Sequence, residues 1–143
     1  MRTQIIALAL AAALQCEIAS AQWVQTNGPH GGNVSCLAVS GSDLFAGTYG
    51  GGVFLSTNRG GNWTQVHTGL TNTDIYALAV SGTNLFAGTW GGGVFLSTNS
   101  GANWIQTGLT NTIVFAFAVS GTDLFAGTNY GVFPPPMAGG IGL

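Results

Sequence analysis

Residues 36–63 read CLAVSGSDLFAGTYGGGVFLSTNRGGNW and residues 77–104 read ALAVSGTNLFAGTWGGGVFLSTNSGANW, while a third, shorter copy begins at Ala116. Matched residues give the period: Trp23 to Trp63 is 40 residues, Trp63 to Trp104 is 41, and Gly41, Gly82 and Gly121 lie 41 and 39 apart. Self-similarity at 40 to 45 residues is the spacing of a four-stranded blade, one radial sector of a β-propeller. The repeat therefore predicts an all-β chain before any side-chain chemistry is considered.

Each copy divides into four short β segments. Val34 to Val39, Ile75 to Val80 and Ile113 to Val119 are nearly continuous apolar runs, as expected of an inner strand covered on both faces. A Ser-Gly turn leads into Leu44 to Thr48 and its equivalents at Leu85 and Leu124. A glycine-rich bend, Gly50 to Gly52 and Gly91 to Gly93, then leads to Val53-Phe54-Leu55 and Val94-Phe95-Leu96. The fourth segment is Trp63 to Val66 in one copy and Trp104 to Gln106 in the next.

The turn between the third and fourth segments carries a signature. Ser56, Asn58, Gly60 and Trp63 in one copy, and Ser97, Asn99, Gly101 and Trp104 in the next, follow the pattern Ser-x-Asn-x-Gly-x-x-Trp. This resembles the Asp box of the BNR family of propellers, with Asn in the Asp position. That family includes sialidases, other glycoside hydrolases, photosystem assembly factors and secreted repeat proteins, so the resemblance implies a fold and leaves activity open. It also implies a structural hairpin remote from catalysis. An Asx side chain bonds backbone N–H groups in such a turn, glycine supplies an unusual dihedral, and tryptophan packs between sheets.

Counting segments gives an orphan outer strand at Trp23-Val24-Gln25, then four, four and three, which makes about three blades. Closed propellers have typically four to eight blades, so one chain is expected to form an open arc. Two chains joined head to tail would form a six-bladed ring, each N-terminal strand completing the other's last blade. The alternative is a fragment of a longer propeller, favoured by Pro134-Pro135-Pro136, which interrupts the strand pattern.

The domain plan is a signal peptide over 1–21, blade repeats over 22–133, and a Pro/Gly-rich tail over 134–143 that is expected to be disordered. Arg2 begins the leader, Ile5 to Leu14 forms an apolar stretch too short for the roughly 20 residues of a membrane span, and Ala19-Ser20-Ala21 supplies small residues for cleavage. The expected location is the periplasm, the cell surface or the medium, with no membrane insertion after cleavage.

From Gln22 onward the charged residues are Arg59, Asp43, Asp74 and Asp123. One arginine cannot neutralise a phosphate backbone, so nucleic acid is not an expected partner. Sparse charge also favours self-association. Cys36 is the single cysteine after the leader and replaces alanine in the other copies, so it reads as a small core filler.

A sialidase-like activity would need three arginines, a Tyr/Glu nucleophile pair and an acid/base Asp, and Arg59 alone cannot supply the first. Glycoside hydrolysis by two carboxylates finds only Asp43 and Asp123 in equivalent turns and Asp74 on a loop. His30 and His67 have no third ligand at a metal-site spacing. The chain is therefore expected to be no enzyme, with no cofactor and no metal.

A binding face is better supported. Alternating strand directions put the glycine-rich bends and the connections between blades on one face. Tyr49, Trp90 and Tyr130 stand at the bends, with His30 and Asp74 on the connections, and flat rings beside polar groups suit sugar stacking. The plainer alternative is that these rings only cover the bends. The leading expectation is a secreted scaffold for binding or assembly. A carbohydrate-binding module and a fragment of a larger sialidase-like hydrolase are the alternatives. Expected partners are a second copy, glycans or cell-surface proteins.

Overall fold

The repeat punctuates the backbone at the same places in each copy. Gly41, Gly82 and Gly121 have φ of 60°, 59° and 61°, and each sits in a two-residue turn closing a hairpin whose terminal pair is Ser40 with Asp43, Ser81 with Asn84, or Ser120 with Asp123. A left-handed residue in this position matches the twist of the flanking strands. In a computed structural model that describes residues 21–135, these turns organise eleven strands and no helix.

Blade 1 comprises β1 (Val34–Ser40), β2 (Asp43–Thr48), β3 (Gly52–Ser56) and β4 (Thr64–Gln65). Blade 2 comprises β5 (Ile75–Ser81), β6 (Asn84–Thr89), β7 (Gly93–Ser97) and β8 (Ile105–Gln106). Blade 3 comprises β9 (Val114–Ser120), β10 (Asp123–Thr128) and β11 (Gly131–Phe133). Every blade is an antiparallel meander in sequence order. The first strands of successive blades lie side by side, β1 against β5 and β5 against β9. The chain is an all-β arc of propeller blades.

The leader over 1–20 and residues 136–143 of the tail lie outside the described residues. Trp23-Val24-Gln25, expected as an outer strand, carries no strand pairing here. Trp23 is 103% exposed. Among the described residues no strand pairs with this segment, so they hold eleven strands where the segment pattern predicts twelve.

Packing between blades forms the core. Phe45 and Val53 of blade 1 meet Ile75, Leu85, Phe95 and Trp104 of blade 2 in one buried cluster. Phe86, Val94 and Leu96 of blade 2 meet Val114 and Ala126 of blade 3 in a second. Among the described residues only blade 2 has a neighbouring blade on each side. The expectation that all inner strands are covered on both faces therefore fails for β1 and β9, where Leu37, Val39, Phe115 and Val119 are exposed.

Close approach explains the glycine in the middle of the second strands. A Cβ on Gly47 would lie 2.5 Å from Cys36 Sγ and 2.6 Å from Ile75 Cγ2. On Gly88 it would lie 2.6 Å from Val114 Cγ1. Each glycine thus admits a β-branched residue from the next blade. Cys36 occupies this packed position as expected, and burial pushes its thiol pKa up, opposed by hydrogen bonds from Ser35 and Gly47.

Candidate functional site: an aromatic strip across three blades

The inner strands each begin with a bulge. Pairing steps from Val34 to Cys36, from Ile75 to Ala77 and from Val114 to Ala116, leaving Ser35, Tyr76 and Phe115 out of register. A bulge turns a side chain away from the alternation of the strand. Ser35 uses this to place its single hydroxyl donor between the carbonyls of Gly47 and Ile75, and the Ile75 contact ties blade 1 to blade 2. Tyr76 and Phe115 join an aromatic cluster instead.

Tyr76 is the hub of that cluster. Its ring lies 6.0 Å from Tyr49 at 77°, 5.2 Å from Trp90 at 31° and 6.5 Å from Phe115 at 82°. Trp90 and Phe115 are 6.4 Å apart at 74°. Three of these four contacts are edge-to-face and the Tyr76–Trp90 pair is tilted; edge-to-face pairs fix rings relative to one another and add about 0.5–1.5 kcal/mol each. Tyr49, Trp90 and Phe115 nevertheless keep 53%, 45% and 48% of their surface open to solvent. The result is a preformed apolar strip running over blades 1, 2 and 3.

The connection between blades 1 and 2 holds the strip in place. Asn72 accepts the Asp74 backbone N–H at 3.0 Å and donates its amide to the Trp90 carbonyl at 2.8 Å. Trp90 N–H in turn bonds the Asp74 carbonyl at 3.0 Å. Tyr49 N–H bonds Asn33, and Gly50 N–H bonds Thr73. The side chain of Asp74 lies beside the Tyr49 bend, its Oδ1 4.0 Å from where a Gly50 Cβ would stand.

Not all the expected residues meet. Tyr49, Trp90 and Asp74 share this face, but Tyr130 stands apart from the four rings and is 73% exposed. The bend of blade 3 is one residue shorter: Thr48 and Thr89 pair with residues four positions on, Gly52 and Gly93, whereas Thr128 pairs with Gly131. Asn129 accordingly takes the place of Tyr49 and Trp90, its N–H bonding Ile113 and its Oδ1 accepting the Ile113 N–H. His30 bonds Asn27 within its own loop at 3.4 Å. Tyr76 and Phe115 lie within the apolar runs Ile75 to Val80 and Ile113 to Val119, which the sequence pattern predicts as inner strands without singling them out. The available signal was that the Ser35, Tyr76 and Phe115 position varies while its neighbours stay apolar.

The Ser-x-Asn-x-Gly-x-x-Trp turns are two copies of one geometry. Ser56 and Ser97 each donate to the Asn Oδ1 at 3.0 Å and accept the Gly60 or Gly101 N–H at 2.8 Å. Asn58 and Asn99 accept the Asn62 and Asn103 N–H groups at 2.8 and 2.9 Å. Arg59 and Ser100 hold φ of 58° and 56°, the left-handed region. These groups are spent on the turn itself.

No protein-family model and no curated protein matches the chain. Solved structures do. An ancestral GH74 enzyme superposes with a TM-score of 0.63 at 23% identity, over 77% of this chain and 15% of that one. The extracellular domain of BT4673, assigned to a one component system of B. thetaiotaomicron, gives 0.63 at 19% over 75% of this chain and 15% of that one. The computationally designed protein Ika4 gives 0.58 at 17%, with 71% of this chain and 64% of that one covered. The chain thus spans about a seventh of the GH74 enzyme and of the BT4673 domain. At these identities the likeness is one of fold, and it is propeller-like.

Proposed function

We propose that the chain is a secreted, non-catalytic propeller scaffold of the BNR/Asp-box kind that binds carbohydrate along the aromatic strip. The observation that carries this reading is the fixed cluster of Tyr49, Tyr76, Trp90 and Phe115, which spans three consecutive blades while leaving ring surface exposed. The cluster goes beyond covering the glycine bends, because Tyr76 and Phe115, at the bulges of β5 and β9, join the bend rings Tyr49 and Trp90. Sugar rings present C–H faces to aromatic planes and hydroxyls to amides and carboxylates, which Asn72 and Asp74 offer at the rim. A scaffold role agrees with near-identical repeats whose few charged groups lie apart, Asp43 and Asp123 at the starts of β2 and β10, Asp74 on a connection and Arg59 in a turn. The leader pattern at Met1 to Ala21 and the extracellular neighbour favour an address outside the cytoplasm.

Affinity electrophoresis against soluble polysaccharides, backed by a glycan array, tests the reading. The native chain is retarded by at least one glycan class, and the double variant Tyr49→Ala/Trp90→Ala migrates freely. Equal retardation of the two proteins overturns the assignment of the strip. A second reading, part of a larger glycoside hydrolase propeller, rests on the small share of the GH74 enzyme that the chain spans. Hydrolysis of a retarded polysaccharide by the purified chain would favour it.

A further inference from the structure

The repeat lets each interface be compared with the next, and the open side of blade 3 differs from its counterparts in three places. Between blades 1 and 2, Trp104 is 3% exposed and packs against the connection that follows blade 1. Its N–H bonds the Thr68 carbonyl at 2.8 Å, its indole N–H bonds the Val66 carbonyl at 2.9 Å, and its carbonyl blocks the place where a Gly69 Cβ would stand. Gly108 is the sequence counterpart of Gly69 in the next repeat, within Thr-Gly-Leu-Thr-Asn-Thr, and a Cβ there would meet nothing within 4 Å. Around it opens a cleft of about 400 Å³ lined by Phe86, Val94, Gly108, Phe117 and Phe133.

The second difference is at Gly127. Gly47 and Gly88 are filled by Ile75 and Val114 of the following blade, but a Cβ on Gly127 would find only its own sheet, with Ala116 at 3.7 Å or more. The third is the outer edge of β11, which pairs with β10 alone among the described residues.

The residues that would answer all three positions exist, exposed, at the other side of the arc. Trp23 occupies the repeat position of Trp63 and Trp104, and Val34 that of Ile75 and Val114. Trp23 is wholly exposed and Val34 is 47% exposed. Between them, the segment already packs on blade 1 as the later connections pack on theirs: Thr26 lies against Gly60 as Val66 lies against Gly101, and Gly28 abuts the Trp63 ring. One sign of incompleteness remains there, since Trp63 Nε1 is buried without an acceptor whereas Trp104 Nε1 has the carbonyl of Val66.

We propose that a second copy of this chain docks on blade 3, seating its Trp23 in the cleft beside Gly108, its Gln25 opposite Phe133 and its Val34 on Gly127. The register follows from the pairs Phe54 with Gln65 and Phe95 with Gln106. Gln65 and Gln106 also donate their amides to the carbonyls of Gly51 and Gly92 at 2.7 Å, and Tyr130 holds the corresponding carbonyl in blade 3. Held as a strand, the segment places the Thr26 carbonyl where Trp63 Nε1 needs an acceptor. The interface is heterologous, and two such contacts close six blades into a ring. This goes beyond carbohydrate binding and does not depend on it.

Light scattering on the purified full chain, with a covalent trap, decides the matter. The native chain gives the mass of two chains, and Trp23→Ala and Gly108→Phe each give the mass of one with the native circular dichroism spectrum. In a Cys16→Ser/Cys36→Ser background that keeps Trp23, Gln25→Cys together with Phe133→Cys forms a disulfide between chains under mild oxidation. A one-chain mass for the native protein, an undiminished mass for Gly108→Phe, or a disulfide within one chain overturns the docking. A series of ever larger assemblies overturns the closed pair.

Discussion

The indole N–H of Trp104 donates to the backbone carbonyl of Val66 across 2.9 Å, so the outer strand of blade 2 is fastened to the connection leaving blade 1. The ring is also buried among Phe45, Leu70 and Phe95. Removing it as Trp104→Ala should cost about 3–5 kcal/mol, the usual loss for a buried tryptophan. Trp104→Phe should cost less, because it retains most apolar area and forfeits mainly the hydrogen bond. Urea unfolding of the two variants checks the order.

The serine of each Ser-x-Asn-x-Gly turn is buried and accepts a glycine N–H at 2.8 Å. Ser97→Ala should therefore leave the Gly101 N–H without a partner and lower stability by about 1–3 kcal/mol. Asn99→Asp retains the acceptor of the Asn103 N–H and should be tolerated. A thermal melt in which Ser97→Ala equals the native protein would show the turn to be indifferent to its serine.

Arg59 and Ser100 adopt left-handed backbone that side chains disfavour by roughly 1–2 kcal/mol. Glycine enters this region without that penalty, although it loses more entropy on folding. Ser100→Gly should consequently raise the unfolding midpoint slightly, or leave it unchanged, while Ser100→Val should lower it. Both are read in the same denaturant titration.

Within the strip, the rings should separate by function. Tyr76→Ala and Phe115→Ala should weaken polysaccharide retardation, since Tyr76 contacts three other rings and Phe115 two. Tyr130→Ala should leave retardation unchanged, because the shorter bend puts it elsewhere. Uniform loss across all three variants would deny the strip its selectivity.

Burial raises the pKa of Cys36, so less thiolate is present at a given pH than in a free cysteine. Alkylation at pH 8 should be slower in the folded chain than in urea. A raised pKa in the folded state stabilises the fold fully below the ordinary thiol range, and that contribution is lost as pH rises through and above it. Cys36→Ala should flatten the alkaline fall in stability.

Much of the architecture was legible from Cys36 to Trp104 alone, because a turn glycine such as Gly41 and a turn serine such as Ser56 recur at fixed offsets. The face carrying Tyr49 and Trp90 was legible too, since strand alternation assigns bends to one side. What could not be read was local departure from period two. Tyr76 and Phe115 sit in unbroken apolar runs, and only the register shift at each bulge turns them outward. Tyr130 was misplaced for the opposite reason: a bend shorter by one residue moved a conspicuous ring out of line. Trp23 matches the strand pattern, but among the described residues no strand pairs with it.

The bulge residue of each inner strand is one of the few places where the copies differ while their frame stays fixed. Ser35, Tyr76 and Phe115 share a backbone position but present a hydroxyl, a phenol and a hydrocarbon ring. Recombination between near-identical repeats would then insert or delete one segment of the aromatic strip at a stroke, so that the length of the strip and its surface chemistry could be altered independently, one by copy number and the other by a single codon.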